Sequence, residues 1–457
     1  MEYKTYDSLR KEHPSFVYSD YKIEKQDDCI YIEYCFKLEN GPEFHPNIKV
    51  MTKNLNIVND FDSVCAKKII FSLGMVELLP YWKAACSQKV FIDCGFIDNW
   101  DIKWWKKLYF KELSEFHYLN NIVAYPEDFM EIVCRKARRD YPLFELNIAN
   151  SNLIAIGGGK DSAVTSDLLK KYKDKNLFLT INDQKAREET VIAAGYNLDK
   201  IVRCYRNIDP VLLEINDEGY LNGHMPFSAI VAFLSLYCAF LTGSENIILS
   251  NESSANESNG NDRKINIQYP KSFEFEEDFR KYIEKNILNE IKYFSILRPF
   301  NEIQIAKYFS KCEEYHEIFR SCNRGSKENK WCAKCPKCLF VFIMLSPFMD
   351  YEKIVKIIGK DMLDDEEMEK DFDTILGIDD GKSFECAGTA AQVSLALYLL
   401  SQKTDRTNAP LLLKRFNEKI DPSDINKNLL KEYNPEHNVP DEYLEEIMEM
   451  YRYVADN

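Results

Sequence analysis

The chain of 457 residues is long enough for two or three domains, and its 45% hydrophobic share can fill sizeable cores, which excludes wholesale disorder. Its 59 Lys and Arg face 74 Asp and Glu, a formal net charge of −15, which excludes gripping nucleic acid through an overall field. With 16 Gly and 16 Pro, collagen-like and linker-rich architectures are excluded as well.

The opening stretch MEYKTYDSLRKEHPS lacks the apolar core of a signal peptide, and 14 cysteines are too sparse for a disulfide-stapled secreted module. The expected compartment is therefore the reducing cytoplasm, with thiols free, buried or metal-bound. Residues 21–24 and 29–38, rich in Tyr, Ile and Phe and separated by Asp27-Asp28, predict a hairpin. From Ala66 the pattern turns helical, and residues 73–118 gather Trp82, Trp100, Trp104 and Trp105. This stretch reads as an aromatic core, with an aromatic substrate platform as the alternative. A charged stretch at 127–150 marks a boundary. Beyond it, apolar runs at 153–156, 177–181, 201–205 and 247–249 alternate with helix-length segments such as 162–171 and 227–241, the pattern of a parallel sheet covered on both faces. The uncharged run 227–243 is too short to span a bilayer and reads as a buried helix; no membrane partner is expected. A fifth strand is expected at 295–298, followed by a helix at 301–311 with Asn301 as N-cap and Gln304 three residues on. The fold class is thus α/β, with an N-terminal α+β domain (1–130), a parallel-sheet domain (131–345) and a helical C-terminal domain (346–457).

At the exit of the first of these strands stands Gly157-Gly158-Gly159-Lys160-Asp161-Ser162. Three glycines let a ligand approach the backbone, and the following helix offers unpaired N–H groups and the positive end of its dipole. That chemistry suits a pyrophosphate, with Lys160 as a mobile cation, Ser162 as a hydroxyl donor and Asp161 as a carboxylate for Mg²⁺. A Walker A loop is excluded, because Asp161 follows Lys160. Cys322, Cys332, Cys335 and Cys338, the last three in WCAKCPKC, have the spacing of one tetrahedral structural Zn²⁺, flanked by Lys334 and Lys337. The polar segment 250–257 follows the fourth strand, so Ser250, Asn251 and Glu252 should face the glycine loop at the carboxyl ends of the strands. Asn182 is a candidate for adenine or ribose, Arg203 for phosphate or a substrate carboxylate. His224, in Asn222-Gly223-His224, reads equally as a helix cap or a base.

The GGGKDS loop resembles the SGGxDS loop of the PP-loop ATP pyrophosphatases, with Gly157 where that family usually has Ser. The resemblance implies a cytoplasmic enzyme that splits ATP between the α and β phosphates. The core also looks similar to 7-cyano-7-deazaguanine synthases, the alternative reading of amidation, nitrile formation or thiolation; a non-catalytic nucleotide-binding module is a third. A more extensive likeness is carried by Leu73-Gly74-Met75-Val76-Glu77 with Tyr81-Trp82-Lys83, by Trp104-Trp105-Lys106-Lys107, by Asn222-Gly223-His224, by SNESSAN, by WCAKCPKCLFVF and by Ser383-Phe384-Glu385-Cys386-Ala387-Gly388. On these the chain is similar to the MurL-type UDP-N-acetylmuramoyl-L-alanyl-L-glutamate epimerases of bacterial peptidoglycan synthesis. That likeness implies epimerisation of the terminal L-Glu to D-Glu through a carboxyl adenylate, with ATP consumed at the loop, Mg²⁺ stabilising the phosphate charge there, and structural Zn²⁺ nearby. It implies a UDP-sugar dipeptide as substrate, with Trp105, Lys106 and Lys107 binding the sugar nucleotide. Cys386, Glu385, His224 and Lys160 are the candidates for proton transfer.

Overall fold

The computed structural model describes residues 4–137, 146–223, 227–256, 269–287, 290–378, 388–405 and 407–456. In β2 (Cys29–Leu38) the side chains of Ile30, Ile32, Tyr34, Phe36 and Leu38 are buried while the residues between them are partly exposed, the period-2 pattern of a half-covered strand. β1 (Ser15–Lys25) pairs antiparallel with it, giving the expected hairpin with a longer first strand. The remaining strands are β3 (Glu43–Phe44), β4 (Asn47–Met51), β5 (Lys89–Ile92), β6 (Glu131–Cys134), β7 (Asn152–Ala155), β8 (Asn176–Ile181), β9 (Ile201–Asn207), β10 (Asn246–Leu249) and β11 (Lys292–Ser295). Together they form an 11-stranded sheet in the order β11-β10-β7-β8-β9-β4-β2-β1-β5-β6, with β3 beside β2.

The five strands from β11 to β9 are parallel, as the alternation of apolar runs predicts. β9 then pairs antiparallel with β4, so one sheet runs through both the N-terminal strands and the parallel core. The chain leaves β7 on one side for β8 and returns on the other for β10. Between β7 and β10 the carboxyl ends therefore open a crevice, the position where such sheets bind ligands. The fifth parallel strand ends at Ser295, where it was expected to begin. Residues 296–300 turn instead, since Pro299 has no N–H to give to a ladder. Asn301 caps the next helix (Glu302–Phe309) in a reciprocal capping box with Gln304, as expected.

Alternate side chains of the parallel strands feed two cores. Leu153, Ile247 and Tyr293 enter one, and Ile154, Ile248 and Phe294 the other. The first contains the apolar helix Phe227–Thr242, packed on the helix Val64–Glu77. Among the described residues no helix is long and apolar enough to cross a membrane. Glu77, wholly buried, takes a two-pronged hydrogen bond from Arg206 of β9 at 2.8 and 2.7 Å. The aromatic stretch also belongs to this core, which corrects the expected sugar-nucleotide role. Trp105 is wholly buried against Tyr109, Phe233 and Tyr282, so a base cannot stack on it. Lys107 pairs with Glu274 at 2.9 Å and with Asp278, and Lys106 donates to the Glu127 carbonyl. The second core carries the C-terminal helices. Tyr443 donates to Asn152 at 2.7 Å and accepts from Asn246 at 3.1 Å, tying them to the starts of β7 and β10.

Candidate functional site

β7 runs into the glycine loop and then into the helix Lys160–Leu168. Gly158 has φ +82°, in the left-handed region, and a Cβ there would meet Ala186 and the Arg187 nitrogen at 3.1 to 3.2 Å. A Cβ on Gly157 would meet nothing within 4 Å, so this backbone lies bare to open space. Gly159 is the N-cap without any side-chain cap bond, which leaves first-turn N–H groups for a ligand. The Ser162 hydroxyl closes the loop, accepting from the Gly158 N–H at 3.1 Å and donating to the Gly159 carbonyl at 2.9 Å.

Above this loop, at the crevice between β7 and β10, lies a cavity of about 590 Å³. Gly157, Gly159, Asp161 and Ser162 line one side and Ser250, Asn251 and Glu252 another, so the loop and the polar segment face each other as the sequence predicts. Four cations also line it: Arg187, Lys271, Arg320 and Lys337. None pairs with a carboxylate among the described residues. Burial holds both Arg187 and Arg320 below the usual arginine range, and Arg187 Nε is buried without a partner. The helices Lys185–Ala193 and Pro336–Leu345 also begin at the cavity without side-chain caps, adding two more positive dipole ends. Among the described lining residues only Asp161 and Glu252 stand against this. Burial, reinforced by the neighbouring Glu302, pushes the Glu252 carboxyl up to about 8, so it is largely uncharged at neutral pH. A chain of net charge −15 thus concentrates unpaired positive charge in one cleft, a site made for a polyanion. Beside it an apolar recess of about 140 Å³ opens between Ile156, Leu179, Ile181, Phe227 and Val231.

Other expected residues stand elsewhere. Lys160 is 2% exposed and turned from the cavity, its Nζ on Glu302 Oε1 at 2.7 Å and on Asp161. Burial opposes its charge, but the two carboxylates outweigh burial and raise its pKa. It is locked, where a mobile cation was expected. Asn182, at φ 61°, accepts the Arg206 N–H through its side chain at 2.8 Å, and Arg203 pairs with Glu188 at 2.7 Å. Neither lines the cavity: Asn182 follows the end of β8 and Arg203 lies within β9, further along the sheet from the β7–β10 crevice. His224, Glu385 and Cys386 lie outside the described residues. Just beyond the latter two, Gln392 donates to Ser254 at 2.6 Å, which brings that part of the C-terminal region against the polar segment. Sequence reasoning passed over Arg187, Lys271 and Arg320. Lys337 was visible only as a neighbour of the thiols.

The thiols of Cys322, Cys332, Cys335 and Cys338 lie within 4.8 Å of one another, with Cys332 and Cys335 at 3.6 and 3.5 Å from Cys338. Tetrahedral zinc at Zn–S of about 2.3 Å needs sulfurs about 3.8 Å apart, so the four residues fit one such ion. The N–H groups of Gly325 and Cys332 donate to Cys322 Sγ at 3.2 and 3.3 Å, as a thiolate requires. The same segment walls the cavity. The Arg320 N–H donates to the Gly158 carbonyl at 2.7 Å, Asn329 accepts from the Ala186 N–H at 3.1 Å, and Ser321 packs over Gly159. All thirteen described cysteines are free of disulfides.

An uncapped glycine turn, three helix N-termini and four unpaired cations around one cleft define an α/β protein built to receive a polyanion beside a tetrathiol knuckle. The particular lineage follows from comparison: the chain belongs to the MurL family, whose N-terminal domain model matches residues 7–296 and C-terminal domain model residues 318–429. It is similar to the UDP-N-acetyl-alpha-D-muramoyl-L-alanyl-L-glutamate epimerase of Xanthomonas oryzae pv. oryzae, at 28% identity over 92% of this chain and 93% of the relative. Proteins of the same name from Salinispora tropica (35% identity, 57% of this chain and 58% of the relative) and a Micromonospora species (28%, 87% and 89%) are also similar. No solved structure matches the chain.

Proposed function

We propose that this protein is an ATP-dependent epimerase that converts the terminal L-Glu of UDP-N-acetylmuramoyl-L-alanyl-L-glutamate to D-Glu, releasing AMP and pyrophosphate. The observation that carries this reading is the cavity over Gly157–Gly159, lined by unpaired cations, in a chain that matches the family along most of its length. The triphosphate of ATP lies along the glycine loop and the Lys160–Leu168 N-terminus, with Arg187, Arg320 and Lys337 against its charge and the base toward the apolar recess. Asp161, 41% exposed at the rim, is the carboxylate placed to hold Mg²⁺, which screens phosphate charge when bound. Zinc held by the four cysteines would have no open coordination position and would serve the fold.

Adenylation answers a physical problem. The Cα–H beside an ionised carboxylate is very weakly acidic, because its removal adds a second negative charge to the same group. Transfer of AMP to that carboxylate cancels its charge and makes the enolate reachable, with the cavity's cations stabilising the charge that develops. A base removes the proton, an acid returns one to the other face, and water cleaves the mixed anhydride. The test is release of AMP and pyrophosphate from ATP on addition of the UDP-sugar dipeptide. Release of ADP, or no dependence on the dipeptide, would contradict it.

A further inference from the structure

Epimerisation needs two proton-transfer groups that touch the reacting carbon, and the structure narrows where they stand. Lys160, the one described candidate from the sequence, is held as an ammonium between Asp161 and Glu302 and has no lone pair to offer. Two other side chains reach the same cavity as the glycine loop, Glu252 and Lys271. They come from separate segments, one following β10 and one in the short turn Tyr269–Lys271. A single guanidinium pins both. Arg298, wholly buried, donates through Nη1 to the Glu252 carbonyl at 2.8 Å and through Nη2 to the Lys271 carbonyl at 2.8 Å. Its own charge is met by Glu276 at 3.2 Å, on the following helix. Glu252 uses Oε2 to accept the Ser254 N–H at 2.5 Å, while Oε1 is buried without a partner. Lys271 has neither an ion pair nor a side-chain hydrogen bond among the described residues, although Asp161, Glu252, Glu302 and Lys337 are all near enough to act on its charge. A half-buried lysine and a buried glutamate that line one cavity without pairing are poorly explained by stability alone.

We propose that Lys271 and Glu252 are the two catalytic residues of proton transfer at the substrate's Cα, Lys271 as base and Glu252 as acid. This rests on the epimerase reading above. The Lys271 amine takes the Cα proton, and the C–H electron pair moves onto the carbonyl oxygen of the acyl adenylate. As that pair returns to carbon, the Glu252 carboxyl delivers its proton to the opposite face. Lys271 ends as ammonium and Glu252 as carboxylate, and exchange with solvent resets both. The assignment of roles agrees with the environment, since burial disfavours the charged form of each. Burial, with Lys337 nearby, lowers the lysine below its usual range, and burial raises the glutamate, so each shift runs towards the form its role requires, an amine that accepts and a carboxyl that donates. Arg298 is then a positioning residue for both.

The experiment follows AMP release and deuterium at the Glu Cα together, in heavy water with ATP, Mg²⁺ and the UDP-sugar dipeptide, using wild type, Lys271→Arg and Glu252→Gln. Circular dichroism first shows that each variant is folded. Lys271→Arg keeps a long basic side chain but, always protonated, offers no usable base, so deuterium incorporated per AMP released should fall by about 100-fold or more. Glu252→Gln should still deuterate Cα from the lysine side, yielding labelled L-Glu with loss of D-Glu. Normal deuterium per AMP in Lys271→Arg would overturn the proposal, as would parallel loss of AMP and deuterium in both folded variants, which would assign them to binding. A wild type that makes AMP without deuterium fails a different claim, the epimerase reading itself.

Discussion

Gly157 and Gly158 are neighbours with opposite requirements. Gly158 holds a left-handed backbone and touches Ala186, so Gly158→Ala should lower unfolding free energy by about 1–2 kcal/mol in a denaturant titration. Gly157 has open space where a methyl would go, so Gly157→Ala should change stability by less than about 0.5 kcal/mol yet weaken a nonhydrolysable ATP analogue in calorimetry. His117 makes a separate prediction. Packed among Phe110, Phe116 and Phe129, it is pushed by burial down to about 4 from an ordinary 6.5. The folded protein therefore resists the proton that the unfolded chain accepts, and its contribution is present above 6.5 and lost as pH falls towards 4. The loss is on the order of 3 kcal/mol, and His117→Phe should flatten that limb of a stability-against-pH curve. At this scale the sequence was legible where neighbours in the chain share a task. The glycines, Asp161 and the polar segment 250–252 met in one cavity as their strand exits imply. The locking of Lys160 was invisible, because Glu302 lies on a distant helix.

The elements around the cavity depend on one another. The tetrathiol segment hydrogen-bonds to the glycine loop through Arg320 and to the Lys185–Ala193 helix through Asn329, and it carries Lys337. Zinc on these cysteines would hold the wall in place, and its removal would leave thiolates that repel one another or take up protons. Chelated protein should therefore lose affinity for an ATP analogue, read by calorimetry, and regain it on adding Zn²⁺. Unchanged affinity in metal-stripped protein would show the wall to be self-supporting. Both halves of this device, four cysteines and a glycine turn, stand out in the sequence, since each is local. Their contact is not, because it needs the chain from 160 to 320 to be folded between them. The same holds for Arg187, Lys271 and Arg320, ordinary charges in sequence whose lack of carboxylate partners among the described residues appears only in three dimensions. The misplaced fifth strand has a simpler cause: an apolar run of β11 ends in a buried turn, and burial on both sides makes strand and turn look alike.

Across the whole molecule, the aromatic N-terminal stretch proved to be the filling between sheet and helices, and one sheet joins it to the site-bearing strands through the pairing of β4 with β9. The acidic surface and the cationic cleft follow the same logic: under the proposed reading an anion is held by a few half-buried charges, and salt should affect its capture from a distance little. In the proposed reaction this cleft couples ATP cleavage to inversion of one carbon. Its most direct measurement is a single reaction in heavy water with ATP, Mg²⁺ and UDP-N-acetylmuramoyl-L-alanyl-L-glutamate, in which AMP, D-Glu and deuterium at Cα are counted together. The account predicts D-Glu that carries one deuterium at Cα, formed only while AMP and pyrophosphate are released. D-Glu formed without AMP, or AMP released while every Cα keeps its hydrogen, would contradict it.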